Sequence, residues 1–143
     1  MIKADRLEAE KAVLQNKLPS NIYMFREMGT STAHLIVAAR TNRGNIYTLK
    51  IMLNTFPEKV PEVFLTRRLK MKNGDDIPSY SHEMHTLNCG VNSTQICHYS
   101  ESEWTPMVSL YKVYVKCRLW LEVYEQHLKS GKDINYYLAN YKV

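Results

Sequence analysis

Cys97 sits in the polar run Gln95-Ile96-Cys97-His98-Tyr99-Ser100, and a Trp104-Thr105-Pro106 step follows shortly after. A thiol in such a loop is open to a large reactant, which a thiol on an apolar stripe is not. Thiolate is a strong nucleophile, and a thioester formed on it stays reactive toward amines. Such a thiol is a suitable carrier for an acyl group. Free cysteine titrates near about 8.5, so only a few per cent is thiolate at neutrality and an electropositive setting helps. His82, His85 and His98 are positioned in sequence to supply one, whereas Glu101 and Glu103 oppose it. The competing structural reading of Cys97 is a half-buried packing residue.

A second chemistry uses the same window. His82, His85, Cys89, Cys97 and His98 offer soft ligands, and His-x2-His-x3-Cys is loosely zinc-like. Neither a Cys-x-x-Cys pair nor a Glu placed as a hydrolytic base accompanies it, so neither a metal nor another cofactor is expected in the chain. Cys117 falls on an apolar helical stripe and reads as core. Cys89 is open to either a structural or a redox role.

The elements that hold this loop follow from period and punctuation. Residues 3–17 are rich in helix formers, with Ala4, Leu7, Leu14 and Leu18 near one face, and Pro19-Ser20-Asn21 ends them. A short strand is expected at about 22–28 and a second at His34–Arg40. Thr41-Asn42-Arg43-Gly44-Asn45 reads as a hairpin turn. Tyr47, Leu49, Ile51 and Leu53 then alternate with polar or outward residues, as in a strand with one buried face. Phe56-Pro57 breaks that strand, and Val63-Phe64-Leu65 makes a fourth. Residues 66–104 carry little periodicity, and so long an irregular stretch in a compact domain is usually functional.

Helix is predicted to resume at Thr105 as cap, with Pro106 in the first turn, where a missing N–H costs nothing. Met107, Leu110, Tyr114, Cys117, Leu121, Tyr124 and Leu128 form its stripe, and Gly131 suits the C-terminal cap. Asp133 to Lys142 reads as a last short helix, whose Tyr136, Tyr137 and Tyr141 are packing groups or a partner face. The whole chain, 1–143, is thus expected to be one α+β domain with a four-stranded antiparallel meander.

Composition narrows the class. The chain has 143 residues, 45% hydrophobic and 23% charged, which is ordinary for a globular domain. Three cysteines form no disulfide framework, and the charged segment from Lys3 to Lys11 is unlike a secretory signal, so a reducing cytoplasm is expected. No apolar run is long enough to span a membrane. The formal charge of +5 suggests an acidic partner, and its densest cluster, Arg67, Arg68, Lys70 and Lys72, reads foremost as a solvated loop. Nucleic-acid binding would need a basic face interleaved with aromatics, and none is evident.

In this order of elements the chain resembles the ubiquitin-conjugating enzymes. The motifs that carry the resemblance are Phe56-Pro57-Glu58-Lys59-Val60-Pro61 after the third strand, and Ile96-Cys97 followed by Trp104-Thr105-Pro106. The His-Pro-Asn triplet of the eukaryotic members is missing, the proline-rich stretch is short, and little follows the long helix. The chain is therefore closest in pattern to the compact bacterial branch, whose members lie in antiphage operons.

The resemblance implies a fold and a set of roles. Cys97 would accept the C-terminal glycine of a ubiquitin-like protein, or of a ubiquitin-like tail on a cyclic-oligonucleotide synthase, and pass it to an amine such as a target lysine side chain. The upstream activating enzyme would use the ATP. Asn88 or Asn92 would donate to the oxyanion, and His85 would order the loop. Trp104 and Pro106 would pack the cysteine loop onto the helix. Lys3, Arg6 and Lys11 on the first helix would face the activating enzyme. The alternative is a non-catalytic adaptor of the kind formed by inactive conjugating-enzyme variants and RWD domains, which share the Phe-Pro…Pro step but lack Ile-Cys…Trp-x-Pro.

Overall fold

Alternation of buried and outward residues builds the sheet, and the computed structural model describes it within residues 1–140. Helix α1 spans Ala4–Lys17 and leads through a 3-10 turn, Ser20–Ile22, into β1 (Tyr23–Arg26). Strands β2 (His34–Arg40), β3 (Ile46–Met52), β4 (Val63–Leu65) and β5 (Thr94–Gln95) follow, then α2 (Leu110–Ser130) and α3 (Ile134–Asn140). The strands form one antiparallel sheet in the order β1-β2-β3-β4-β5. Leu35, Val37 and Ala39 of β2 and Tyr47, Leu49 and Ile51 of β3 point into the core against Cys117, Leu121 and Tyr124 of α2. Full burial of a side chain such as Leu49 contributes about 1.5–3 kcal/mol. At the far end, Glu125 of α2 accepts hydrogen bonds from Tyr47 Oη (2.8 Å) and Asn45 Nδ2 (2.7 Å), which pins the β2–β3 hairpin to the helix.

The meander has five strands rather than the expected four. β5 is two residues long, too short to show a period, and both of its residues are buried. It pairs Gln95 with Phe64 and Leu65 with Thr94. Cys97 therefore leaves the edge of the sheet directly, two residues beyond β5.

Helix α2 starts at Leu110, not at Thr105, and its cap is Ser109, whose side chain accepts from Lys112 N–H. The reason lies in α1. Buried Glu10 takes the Leu110 N–H at 2.7 Å, a donor that a continuing helix would have aimed at the Pro106 carbonyl. Arg6 takes the Pro106 and Val108 carbonyls at 2.6 and 3.0 Å. The helix ladder is intercepted on both sides, and Thr105 to Val108 remain a turn. Met107, expected on the apolar stripe, is 88% exposed as a result, and Leu128 is partly exposed at the other end. The C-terminal cap is as expected: Gly131 has φ 78° and its N–H bonds the His127 carbonyl at 2.8 Å. Tyr137 packs on the core and meets Tyr136 edge to face, while Tyr141 lies outside the described residues.

Candidate active site

Four contacts set the cysteine loop. Trp104 Nε1–H donates to the Pro57 carbonyl at 2.9 Å, and its ring meets Phe56 and Tyr99 edge to face. His98 Nε2–H donates to the Pro61 carbonyl at 2.9 Å. The Cys97 N–H donates to the His85 carbonyl at 2.9 Å. Trp120 of α2 then reaches across and donates to the same His85 carbonyl at 3.1 Å. The loop is thus tied at once to the Phe56-Pro57…Pro61 segment, to the turn at 82–85 and to the long helix.

Cys97 is half-buried and borders two clefts. The larger, about 720 Å³, runs between the loop and helices α2 and α3, with Val115, Leu119, Trp120 and Leu138 as its apolar wall. The smaller, about 300 Å³, lies on the Pro61 and Leu87 side. Among the described residues, nothing hydrogen-bonds the Cys97 Sγ. Burial, and then the Glu103 carboxylate, push the Cys97 thiol above its ordinary range. The thiol is therefore not activated by its surroundings in this state.

Glu103 is held where it has that effect. Ser100 Oγ donates to Glu103 Oε1 at 2.8 Å, and the Glu103 N–H donates back to Ser100 Oγ at 3.3 Å. This is a Ser-x-x-Glu box closing a single turn. Those bonds, with Lys116 nearby, keep the Glu103 carboxyl below its usual range. Lys116 lies over the Tyr99 ring at 4.5 Å in the wall of the larger cleft.

His98 does not supply the expected positive charge. Burial lowers its pKa to about 4, so it is neutral at neutral pH. With Nε2 donating to Pro61, its Nδ1 is an acceptor, and it is the buried side-chain polar atom left without a partner among the described residues. His82 is exposed, its ring 5.8 Å from that of His85, and lines neither cleft.

Other sequence-derived candidates are dispersed. Asn88 is exposed and its backbone N–H donates to Gln95 Oε1 at 3.1 Å. Asn92 is exposed at the tip of a hairpin closed by Gly90 and Ser93, at the end of β5 away from Cys97. Neither lines the clefts that border the thiol. Arg6 is engaged within the molecule, paired with Glu10 at 2.9 Å and lying 5.0 Å from the centroid of Phe56. Lys3 is exposed, and Lys11 lies within 3.7 Å of Glu8. Pro106 is exposed and contributes its carbonyl to Arg6.

The basic cluster is also engaged internally. Arg68 donates to the Ile77 and Gly90 carbonyls, Lys70 pairs with Asp76, and Lys72 Nζ donates to the Lys129 carbonyl. Cys117 is fully buried, and burial pushes its thiol far up. Cys89 is half-buried near the Leu87 carbonyl. Among the described residues no three His, Cys, Asp or Glu side chains converge as a metal site, and no helix is long and apolar enough to cross a membrane.

No family model, no curated protein and no solved structure matches this chain.

Three features around the larger cleft were not foreseen in the sequence: the Ser100–Glu103 box that fixes Glu103, Lys116 in the cleft wall, and Asn135 of α3, which bonds His85 without itself lining the cleft. The first had a signal, the Ser100-x-x-Glu103 spacing. Lys116 had none, because a lysine beside an apolar stripe is ordinary. Asn135 had none either, because its partner, His85, lies fifty residues away.

Proposed function

We propose that this chain has a fold like that of the ubiquitin-conjugating enzymes and works as an acyl carrier. Cys97 accepts the C-terminal acyl group of a ubiquitin-like protein, or of a ubiquitin-like tail on a cyclic-oligonucleotide synthase, as a thioester and passes it to an amine. An activating enzyme that consumes ATP loads it, and the setting is bacterial antiphage defence in the cytoplasm. The observation that carries this reading is the position of Cys97: a half-buried thiol whose sulfur has no hydrogen bond among the described residues, bordering two clefts, on a loop anchored to Phe56-Pro57…Pro61 through Trp104 and His98. An acyl group entering along one cleft leaves the other open for the incoming amine.

A specific observation favours the adaptor reading as the second choice. The thiol is pushed up rather than down, and neither Asn88 nor Asn92 borders its clefts. In a carrier of this kind the activation must come from the bound partner or from another residue of the cleft.

The test is intact mass after incubation with the activating enzyme, ATP and ubiquitin-like partner encoded alongside the chain. A reductant-sensitive adduct that Cys97→Ala lacks supports the carrier. Its absence, under conditions that charge the activating enzyme, supports the adaptor.

A further inference from the structure

We infer that His85 is the proton-transfer group of the Cys97 cleft and that Asn135 is its positioning residue. This rests on the carrier reading above and extends it to the step in which the amine attacks.

Two of the three groups share one cleft, and the third holds one of them. His85 and Cys97 both line the larger cleft, and the Cys97 N–H bonds the His85 carbonyl at 2.9 Å, so their spacing is fixed through the backbone. His85 Nε2 lies 2.8 Å from Asn135 Oδ1. An amide oxygen only accepts, so Nε2 carries the proton and, in the neutral ring, Nδ1 is the basic nitrogen. Nδ1 has no partner among the described residues and is not among the buried atoms left unpaired, so it remains open to solvent. A nucleophile, a base and a group that fixes the tautomer of the base are the parts of a cysteine–histidine–asparagine arrangement, recognised by geometry and not by order in the chain.

The support around His85 is more than a loop requires. Its backbone is left-handed, φ 49°, an uncommon conformation for a residue with a side chain. Two carbonyls of the turn, Met84 and His85, accept from Trp120 Nε1, and a third, Glu83, accepts from the Asn135 N–H at 2.8 Å. Helix α3 thus grips the turn twice, once through backbone and once through the imidazole. Leu138 of the same helix completes the apolar wall of the cleft.

Among the described residues no hydrogen bond joins Cys97 Sγ to His85, and the open cleft between them is where an amine would sit. The neutral amine nitrogen attacks the thioester carbonyl carbon, forming the C–N bond. His85 Nδ1 takes one N–H proton from that nitrogen. The C–S bond breaks, and the proton passes from Nδ1 to the departing Cys97 sulfur. The products are an amide, a neutral imidazole and the free thiol, with no further reactant. Protonation of the leaving group matters because burial and Glu103 make a bare thiolate unfavourable here.

The experiment uses the full chain and needs no activating enzyme. Cys97 is charged by exchange with a synthetic peptide thioester ending in Gly-Gly. Free lysine is then added, and loss of the adduct is followed by intact mass. Wild type, His85→Ala, Asn135→Ala and Asn135→Asp are compared, with melting curves for each. The expected result is thioester formation in all four, with discharge about 100-fold slower in His85→Ala. Added imidazole restores part of that rate. Asn135→Ala falls between His85→Ala and wild type, and Asn135→Asp, which keeps the accepting oxygen, stays near wild type. If His85→Ala does not fold, the two Asn135 variants decide. Discharge that is unchanged in the variants, or slowed without any response to imidazole and equally in both Asn135 variants, overturns the inference while leaving the carrier reading intact. If wild type forms no thioester, the carrier reading itself fails.

Discussion

The junction of α1 with the start of α2 and the loop around Cys97 treat polar groups in opposite ways. At the junction a buried carboxylate, Glu10, is used by Arg6 and by the Leu110 N–H, and Arg6 spends its other nitrogens on two carbonyls. Around the thiol, among the described residues, Cys97 Sγ has no hydrogen bond and His98 Nδ1 is buried without one. An unsatisfied buried acceptor costs about 1–3 kcal/mol, so a region that only had to be stable would not keep it. The difference is that the first region satisfies its buried polar groups from within, whereas the second leaves hydrogen-bonding capacity unused.

Four measurements can break or sharpen that contrast. The largest effect is expected from Cys97→Ala, which removes the acyl adduct completely while changing stability by less than about 1 kcal/mol, read by intact mass and by urea denaturation. A comparable loss of stability would make Cys97 a packing residue.

Next is Glu10→Leu. It leaves Arg6 without its anion and the Leu110 N–H without its acceptor, and should lower unfolding stability by about 3 kcal/mol. A loss under about 1 kcal/mol would show that these buried bonds do not hold the junction.

The third concerns His98. Its folded pKa, about 4, lies below the ordinary value of 6.5. The unfolded chain therefore binds the proton first, and stability falls as pH is lowered from about 6.5 to about 4, by up to about 3 kcal/mol. Above that window the ring is neutral in both states and contributes no slope. His98→Phe should flatten this part of the profile relative to wild type; parallel profiles would mean that His98 is not neutral in the fold.

The smallest effect is on thiol reactivity. Iodoacetamide should label Cys97 with a pH midpoint above that of a free thiol, and Glu103→Gln should lower the midpoint by less than about one unit, since the Glu103 charge is the lesser of the two causes. Cys117 should stay unlabelled in the native state at any of these pH values. Labelling of Cys117 ahead of Cys97 would reverse the assignment of loop and core.

How far the sequence could be read depends on how local each cause is. The β2 and β3 alternation, the Thr41–Asn45 turn and the Gly131 cap rest on neighbours in the chain, and they are where period and turn chemistry put them. The start of α2 departs from the cap rule at Thr105 and Pro106 because that rule is local, while the competing acceptor, Glu10, sits a hundred residues away. The same holds for the site. Cys97, Trp104 and the Phe56-Pro57…Pro61 step are marked by short motifs, but the bonds that join them, from Trp104 to Pro57 and from His98 to Pro61, are not. The neutral state of His98 depends on burial, and the His85–Asn135 pair depends on the return of α3, neither of which has a period or a spacing. The bonds of Arg6 have the same character: its carbonyl partners at Pro106 and Val108 lie a hundred residues away and are visible only in three dimensions.

The grip of α1 on residues 106–110 also orders events during synthesis. Arg6 and Glu10 leave the ribosome early, and the groups that they bind are made about a hundred residues later. Contacts so distant in sequence form slowly, because a long loop must close before they contribute. Helix α1 packs chiefly on α2, so this helix is expected to dock late and to undock early. In hydrogen exchange its amides should be freed before those of β2 and β3, which gives any binding partner of the first helix a handle on the start of α2 and the loop that precedes it.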